Sequence, residues 1–103
     1  MRSLALIGPG PAWTHPGTVF DQDPRVLRDH LAHMRRLFDS DALLLGGPAY
    51  DGRSGIALLE TPSLDGAAAL IDDDPAVRTG LFTYTIRRLT PYFDAFDGTR
   101  SPR

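Results

Sequence analysis

Residues 23–60 read DPRVLRDHLAHMRRLFDSDALLLGGPAYDGRSGIALLE, and the order of signals within them decides the fold. Asp23-Pro24 is a helix start: an Asp side chain accepts a backbone N–H at the N-cap, and proline suits the first helical position. Leu27, Leu31, Met34 and Phe38 follow at i, i+4, i+7 and i+11, one apolar stripe at helical period. The helix is expected to end near Asp39-Ser40. Ala42 to Leu45 then read as a strand stopped by Gly46-Gly47-Pro48. Tyr50-Asp51-Gly52 is a turn, and Ser54 to Glu60 form the next strand, ended by Pro62. A helix leading directly into an antiparallel hairpin is the middle of a β-α-β-β-α-β chain.

Outward from this centre, Ser3 to Ile7 form a first strand. Residues 8–22 form a long Gly- and Pro-rich loop holding Trp13, His15 and Phe20; loops of this length in compact domains are often functional. Towards the C-terminus, Ser63 caps a second helix that buries Leu64, Ala67, Ala68 and Ile71. Asp74-Pro75 repeats the helix-start signal for one short turn, closed by Gly80, and Leu81 to Leu89 form the fourth strand. The expected architecture is α+β and ferredoxin-like: one domain over 1–96 and a disordered polar tail over 97–103. Two helices cover only one face of such a sheet, yet the strands carry apolar residues on both. Leu4 and Leu6 oppose Ala5 and Ile7, and Leu58 opposes Leu59. A one-sided sheet should alternate apolar and polar, so the second face is expected to be buried in a homodimer.

Composition narrows the chemistry. The chain has 103 residues, no cysteine and no lysine, and its eleven basic residues are all Arg. Disulfides, thiolate catalysis, Schiff-base lysines and the phosphate-loop lysine are thereby excluded. A net charge of −2 without a basic stripe argues against nucleic-acid binding. No run reaches the ~18–20 apolar residues of a membrane span. The short apolar run at the N-terminus, cut by Gly8-Pro9-Gly10-Pro11, is no secretory signal, and the expected location is cytoplasmic. That Gly-Pro stretch follows a strand as a phosphate loop would, but its prolines lack the N–H groups that cradle an anion.

His30 is the leading candidate for chemistry. It lies about 60° from the centre of the Leu27–Phe38 stripe at ~100° per residue, on the border of the core, where a neutral imidazole can take and return protons. The alternative is a core-border histidine bonded to a backbone carbonyl. His33, one turn on, reads as exposed. Together with His15 or Asp51 the two histidines make an incomplete ligand set, and no metal or cofactor is expected. Trp13, His15 and Tyr50 sit in loops that can wall a cleft for an apolar or aromatic ligand.

Arg28-Asp29-His30-Leu31, then Leu43-Leu44-Leu45-Gly46-Gly47-Pro48, Gly55, and finally Asp72-Asp73-Asp74-Pro75-Ala76-Val77-Arg78-Thr79-Gly80-Leu81 resemble, in order and spacing, the YCII-related (YciI-like) domain. This is a branch of the dimeric α+β barrel superfamily, and the resemblance covers roughly residues 3–94. It implies a dimer whose two sheets face each other, with a cleft beside the helix histidine. Activities in this group include dehydrochlorination of an aromatic ring and muconolactone isomerisation. The resemblance carries a catalytic role to His30 and to Asp74, and Pro48 joins the ligand-binding candidates Trp13, His15 and Tyr50. Many members carry Arg three residues before that His; here Leu27 stands there, with Arg28 beside it. The function expected is a cofactor-free isomerase or lyase acting on a small molecule through His30. The alternatives are a non-catalytic ligand-binding or accessory dimer and, third, a cofactor-free oxygenase.

Overall fold

A computed structural model describes residues 1–97 of the chain; the tail expected from 97 onward lies, but for its first residue, outside the described residues. The elements are β1 (Arg2–Pro9), a 3-10 turn (Val19–Asp21), α1 (Pro24–Asp39), β2 (Leu43–Pro48), β3 (Gly55–Glu60), α2 (Leu64–Asp72), α3 (Pro75–Arg78) and β4 (Phe82–Leu89). The four strands form one sheet in the order β2-β3-β1-β4, every pair antiparallel. This is the ferredoxin-like α+β fold. The helix starts are those the sequence signals: Asp23, Ser63 and Asp74 each accept a backbone N–H as N-cap, with Pro first in α1 and α3.

Two strands run further than their punctuation suggested. β1 continues to Pro9, where among the described residues it pairs with β4 alone because the pairing with β3 stops at Ile7. β2 continues through Gly46-Gly47-Pro48, with Pro48 opposite Gly55. It is an edge strand, and an edge is where a sheet tolerates a residue without an N–H. A register shift between Leu43 and Leu45 places Leu43 in the core and Leu45 on the other face, since an extra residue reverses the alternation.

α1 is rotated from the expected stripe. Its buried residues are His33 and Leu37, whereas Leu31 and Phe38 are 60% and 51% exposed. The expectation of an exposed His33 is therefore corrected. Its Nε2 lies 2.8 Å from the Leu70 carbonyl of α2, so the imidazole is buried with its N–H satisfied. The main core joins Ala5, Leu43, Ala57 and Leu59 of the sheet to Leu37, Ala67 and Ile71 of the helices. Burial of a side chain such as Leu59 or Ile71 stabilises the fold by about 1.5–3 kcal/mol. A second cluster of Val19, Ala76, Leu81 and Phe82 lies under the N-terminal loop. The opposite sheet face is apolar along β1, β2 and β3, with Leu6 51%, Leu45 49% and Ile56 38% exposed. It turns polar along β4 at Thr83, Thr85 and Arg87.

Candidate functional site

Asp74 is the N-cap of α3 and 1% exposed. Its Oδ1 accepts the Ala76 N–H at 2.9 Å, as the Asp-Pro signature implies. Its Oδ2 lies 2.5 Å from Nδ1 of His30 on α1. A buried carboxylate is tolerable only when paired and hydrogen-bonded, and between these two partners Asp74 is both. Acceptance by the carboxylate places the proton of a neutral His30 on Nδ1. That leaves Nε2, which has no protein partner among the described residues, as a lone-pair acceptor. Phe82 meets the imidazole edge-on, with centroids 4.9 Å apart at 84°, and fixes the ring plane.

His30 forms part of the wall of a cavity of about 160 Å³ between α1 and the sheet. Leu27, Leu31 and Met34 of α1 face Ile7, Leu43 and Phe82 of the sheet across it, and Trp13, Val19 and Phe20 close it from the N-terminal loop. A cavity of roughly 150 Å³ is large enough for one benzene ring. Local chemistry sets the loop in place. The Gly10 N–H donates to Leu81 O at 2.8 Å and the Ala12 N–H to Gly80 O at 2.9 Å; a Cβ at position 10 would collide with that Gly80 oxygen, so only glycine permits the approach. Thr18 and Asp21 form a capping box on the 3-10 turn, and the Val19 N–H donates to Gly52 O at 2.8 Å.

The β2–β3 turn supplies the other rim. Gly52 takes φ 70°, the left-handed region that favours glycine. Asp51 Oδ1 accepts the Arg53 and Ser54 N–H groups; these bonds, the Arg53 N–H foremost, hold its carboxyl below the usual aspartate range. Arg53 Nη1 donates to Pro16 O at 2.9 Å and Gly17 O at 3.1 Å, and its guanidinium lies 5.8 Å over the Trp13 ring. Trp13 in turn leans on Phe82 at 6.3 Å. Its Nε1–H is buried with no hydrogen-bond partner among the described residues.

Of the residues singled out by sequence, His30, Trp13 and Pro48 line this cavity, and Asp74 stands directly behind His30. His15 lies outside it, its Nδ1 accepting the Gly17 N–H within the loop. Tyr50 is fully exposed at the hairpin tip and also lies outside. Arg53 and Phe82 are cavity residues that sequence reasoning passed over. Phe82 was legible as the first inward position of β4, whereas Arg53 carried no motif. Among the described residues, no group of three or more His, Asp or Glu is placed to hold a metal ion, and no helix is long and apolar enough to cross a membrane.

An α+β sandwich with a helix histidine on a buried aspartate defines a class, and comparison with known proteins supplies the family. The model of the YCII-related domain matches residues 1–90, and the chain belongs to that family. Among solved structures, the chain is similar to 5-chloro-2-hydroxyhydroquinone dehydrochlorinase (TftG) of Burkholderia phenoliruptrix AC1100, in complex with 2,5-dihydroxybenzoquinone. The identity is 21%, the TM-score 0.55, and the match covers 84% of this chain and 93% of that one. At that identity the likeness shows the fold. No curated protein sequence matches the chain.

Proposed function

We propose that the chain is a cofactor-free enzyme of lyase or isomerase type, acting on a single-ring small molecule with His30 as general base and acid. The observation that carries this reading is the His30–Asp74 pair: it leaves Nε2 as the ring nitrogen without a partner, on a residue that lines an apolar cavity of ring size. In an elimination from a hydroxylated ring, the Nε2 lone pair takes a hydroxyl proton, the O–H electron pair becomes a C=O bond, and the imidazolium gives the proton to the ring carbon that bears the leaving group. Removal of a second hydroxyl proton then forms a second C=O bond, and the leaving group departs with its own pair. In an isomerisation Nε2 takes a proton from one carbon and the imidazolium returns it to a different carbon. Either way Asp74 holds the ring and balances the positive charge while it exists. The structural relative, which removes chloride from a hydroxylated ring, makes chlorinated hydroxyhydroquinones the first substrates to try.

The reading includes a homodimer. Leu4, Leu6, Leu58, Ile56 and Leu45 share the face that no helix covers, and an apolar surface of that kind favours burial against a second copy.

The deciding experiment compares wild type with His30→Gln on such substrates, following chloride release and ring absorbance. Proton transfer by His30 predicts a loss on the order of 10²–10⁴-fold with the fold retained. Equal turnover by the variant would exclude the acid–base role. A ligand that binds wild type and is converted by neither protein makes the chain a binding module instead.

A further inference from the structure

The cavity wall carries one permanent cation that acid–base chemistry leaves unused. Arg53 lines the cavity at its rim. Of the five N–H donors of a guanidinium, those on Nη1 serve Pro16 O and Gly17 O. Nε and Nη2 have no partner among the described residues. They form the edge that grips an oxyanion through two parallel bonds. No carboxylate lies within ion-pair distance of Arg53 among the described residues; the nearby Asp51 carboxylate feels its charge, but the Asp51 oxygens are taken by N–H and hydroxyl groups of residues 53 and 54. The Trp13 ring beneath and the two carbonyls behind hold the guanidinium in place before any ligand arrives. α1 offers no competing arginine: the cavity-lining position is Leu27, and Arg28 is exposed and paired with Asp29.

We propose that Arg53 is the anion-binding residue of this cavity and that the ligand class is a single ring bearing a negatively charged oxygen. The ring occupies the apolar walls, and its oxyanion, a carboxylate or an ionised ring hydroxyl, docks on the Nε/Nη2 edge. This deepens the reading above, since it adds a substrate charge to the site of His30.

Binding calorimetry on the intact chain tests it with three probes: benzoate, 4-nitrophenolate and the neutral ring benzyl alcohol. The fluorescence of Trp13, the only tryptophan, reports that the probe enters this cavity. Wild type should bind at least one anion about tenfold more tightly than benzyl alcohol, as a charge-assisted pair at a rim allows, and the preference should shrink as salt is raised. Which anion is preferred identifies the source of the negative oxygen. Arg53→Gln should abolish the preference and leave benzyl alcohol affinity unchanged, and Arg53→Lys should keep part of it. The proposal is overturned if wild type shows no anion preference, or if Arg53→Gln weakens the neutral ring equally, which would make Arg53 only a prop for the loop. Loss of the preference in His30→Gln but not in Arg53→Gln would overturn it as well. A His30→Gln protein with full turnover ends the acid–base reading and leaves the anion preference of Arg53 standing, so the two fail separately.

Discussion

At position 74 one carboxylate serves two partners, the Ala76 N–H through Oδ1 and the His30 imidazole through Oδ2. The two roles separate by mutation. Asp74→Asn keeps an oxygen able to cap α3 but removes the charge that balances an imidazolium and selects the Nδ1–H tautomer. Turnover should fall on the order of 10²–10⁴-fold, the scale seen when the orienting carboxylate of a catalytic histidine is neutralised. The thermal midpoint should stay close to wild type. Asp74→Ala should lose the cap as well, at about 1 kcal/mol or more. Turnover by Asp74→Asn at the wild-type rate, with a wild-type pH profile, would reduce Asp74 to a helix cap. Asp41 shows a different economy: it closes α1 at φ 65°, a conformation Asp tolerates better than most residues other than glycine.

At the scale of elements, packing sets what each helix face meets. α2 is tied to β4 by Tyr84, whose hydroxyl donates to Asp72 Oδ1 at 2.7 Å with Ala68 O 3.3 Å away. Burial, and then the bond to Asp72, push this phenol from 10.0 up to about 12. The protonated form is the one the fold favours. Its contribution is therefore complete below about pH 10 and is lost as pH rises from about 10 towards 12. Urea midpoints measured across that window should fall more steeply for wild type than for Tyr84→Phe. Parallel slopes would mean that the hydroxyl contributes nothing to the α2–β4 contact. The same reasoning explains why β2 was misread. Gly-Gly-Pro ends an interior strand, but an edge strand carries it at no cost to a second neighbour.

For the whole molecule, the open sheet face is the one the proposed homodimer would bury. Leu59 is wholly buried beneath the helices, and Leu58, its neighbour on β3, belongs to the open face. Leu58→Arg places a charge where a second copy would bury it unpaired, a cost of about 3–5 kcal/mol. Light scattering should show a dimeric wild type and a monomeric variant with unchanged far-ultraviolet dichroism. A variant that stays dimeric puts the interface elsewhere.

The sequence alone determined the order of the four strands and three α-helices. Helix starts are written in residues that act within three or four positions of themselves: Asp23-Pro24, Ser63 and Asp74-Pro75 cap the helices they announce. Alternation along β1 and β3 likewise assigned Leu59 and Leu58 to opposite faces before any coordinates. His30 could be picked out by its place on the helix and, with Asp74, by family resemblance, but local sequence could not show that the two touch. Residues 30 and 74 are 44 positions apart and meet only because α1 packs against α3. The same holds for Arg53 reaching Pro16 O across 37 positions, and for His33 finding the Leu70 carbonyl that lets an imidazole enter the core. Hydropathy counted His33 as polar and Leu31 as buried, since it scores a side chain without its hydrogen-bond partner. The rotation of α1, the cavity and the choice of groups that line it were decided by tertiary packing, where the satisfaction of buried polar atoms depends on chain segments that local sequence does not couple.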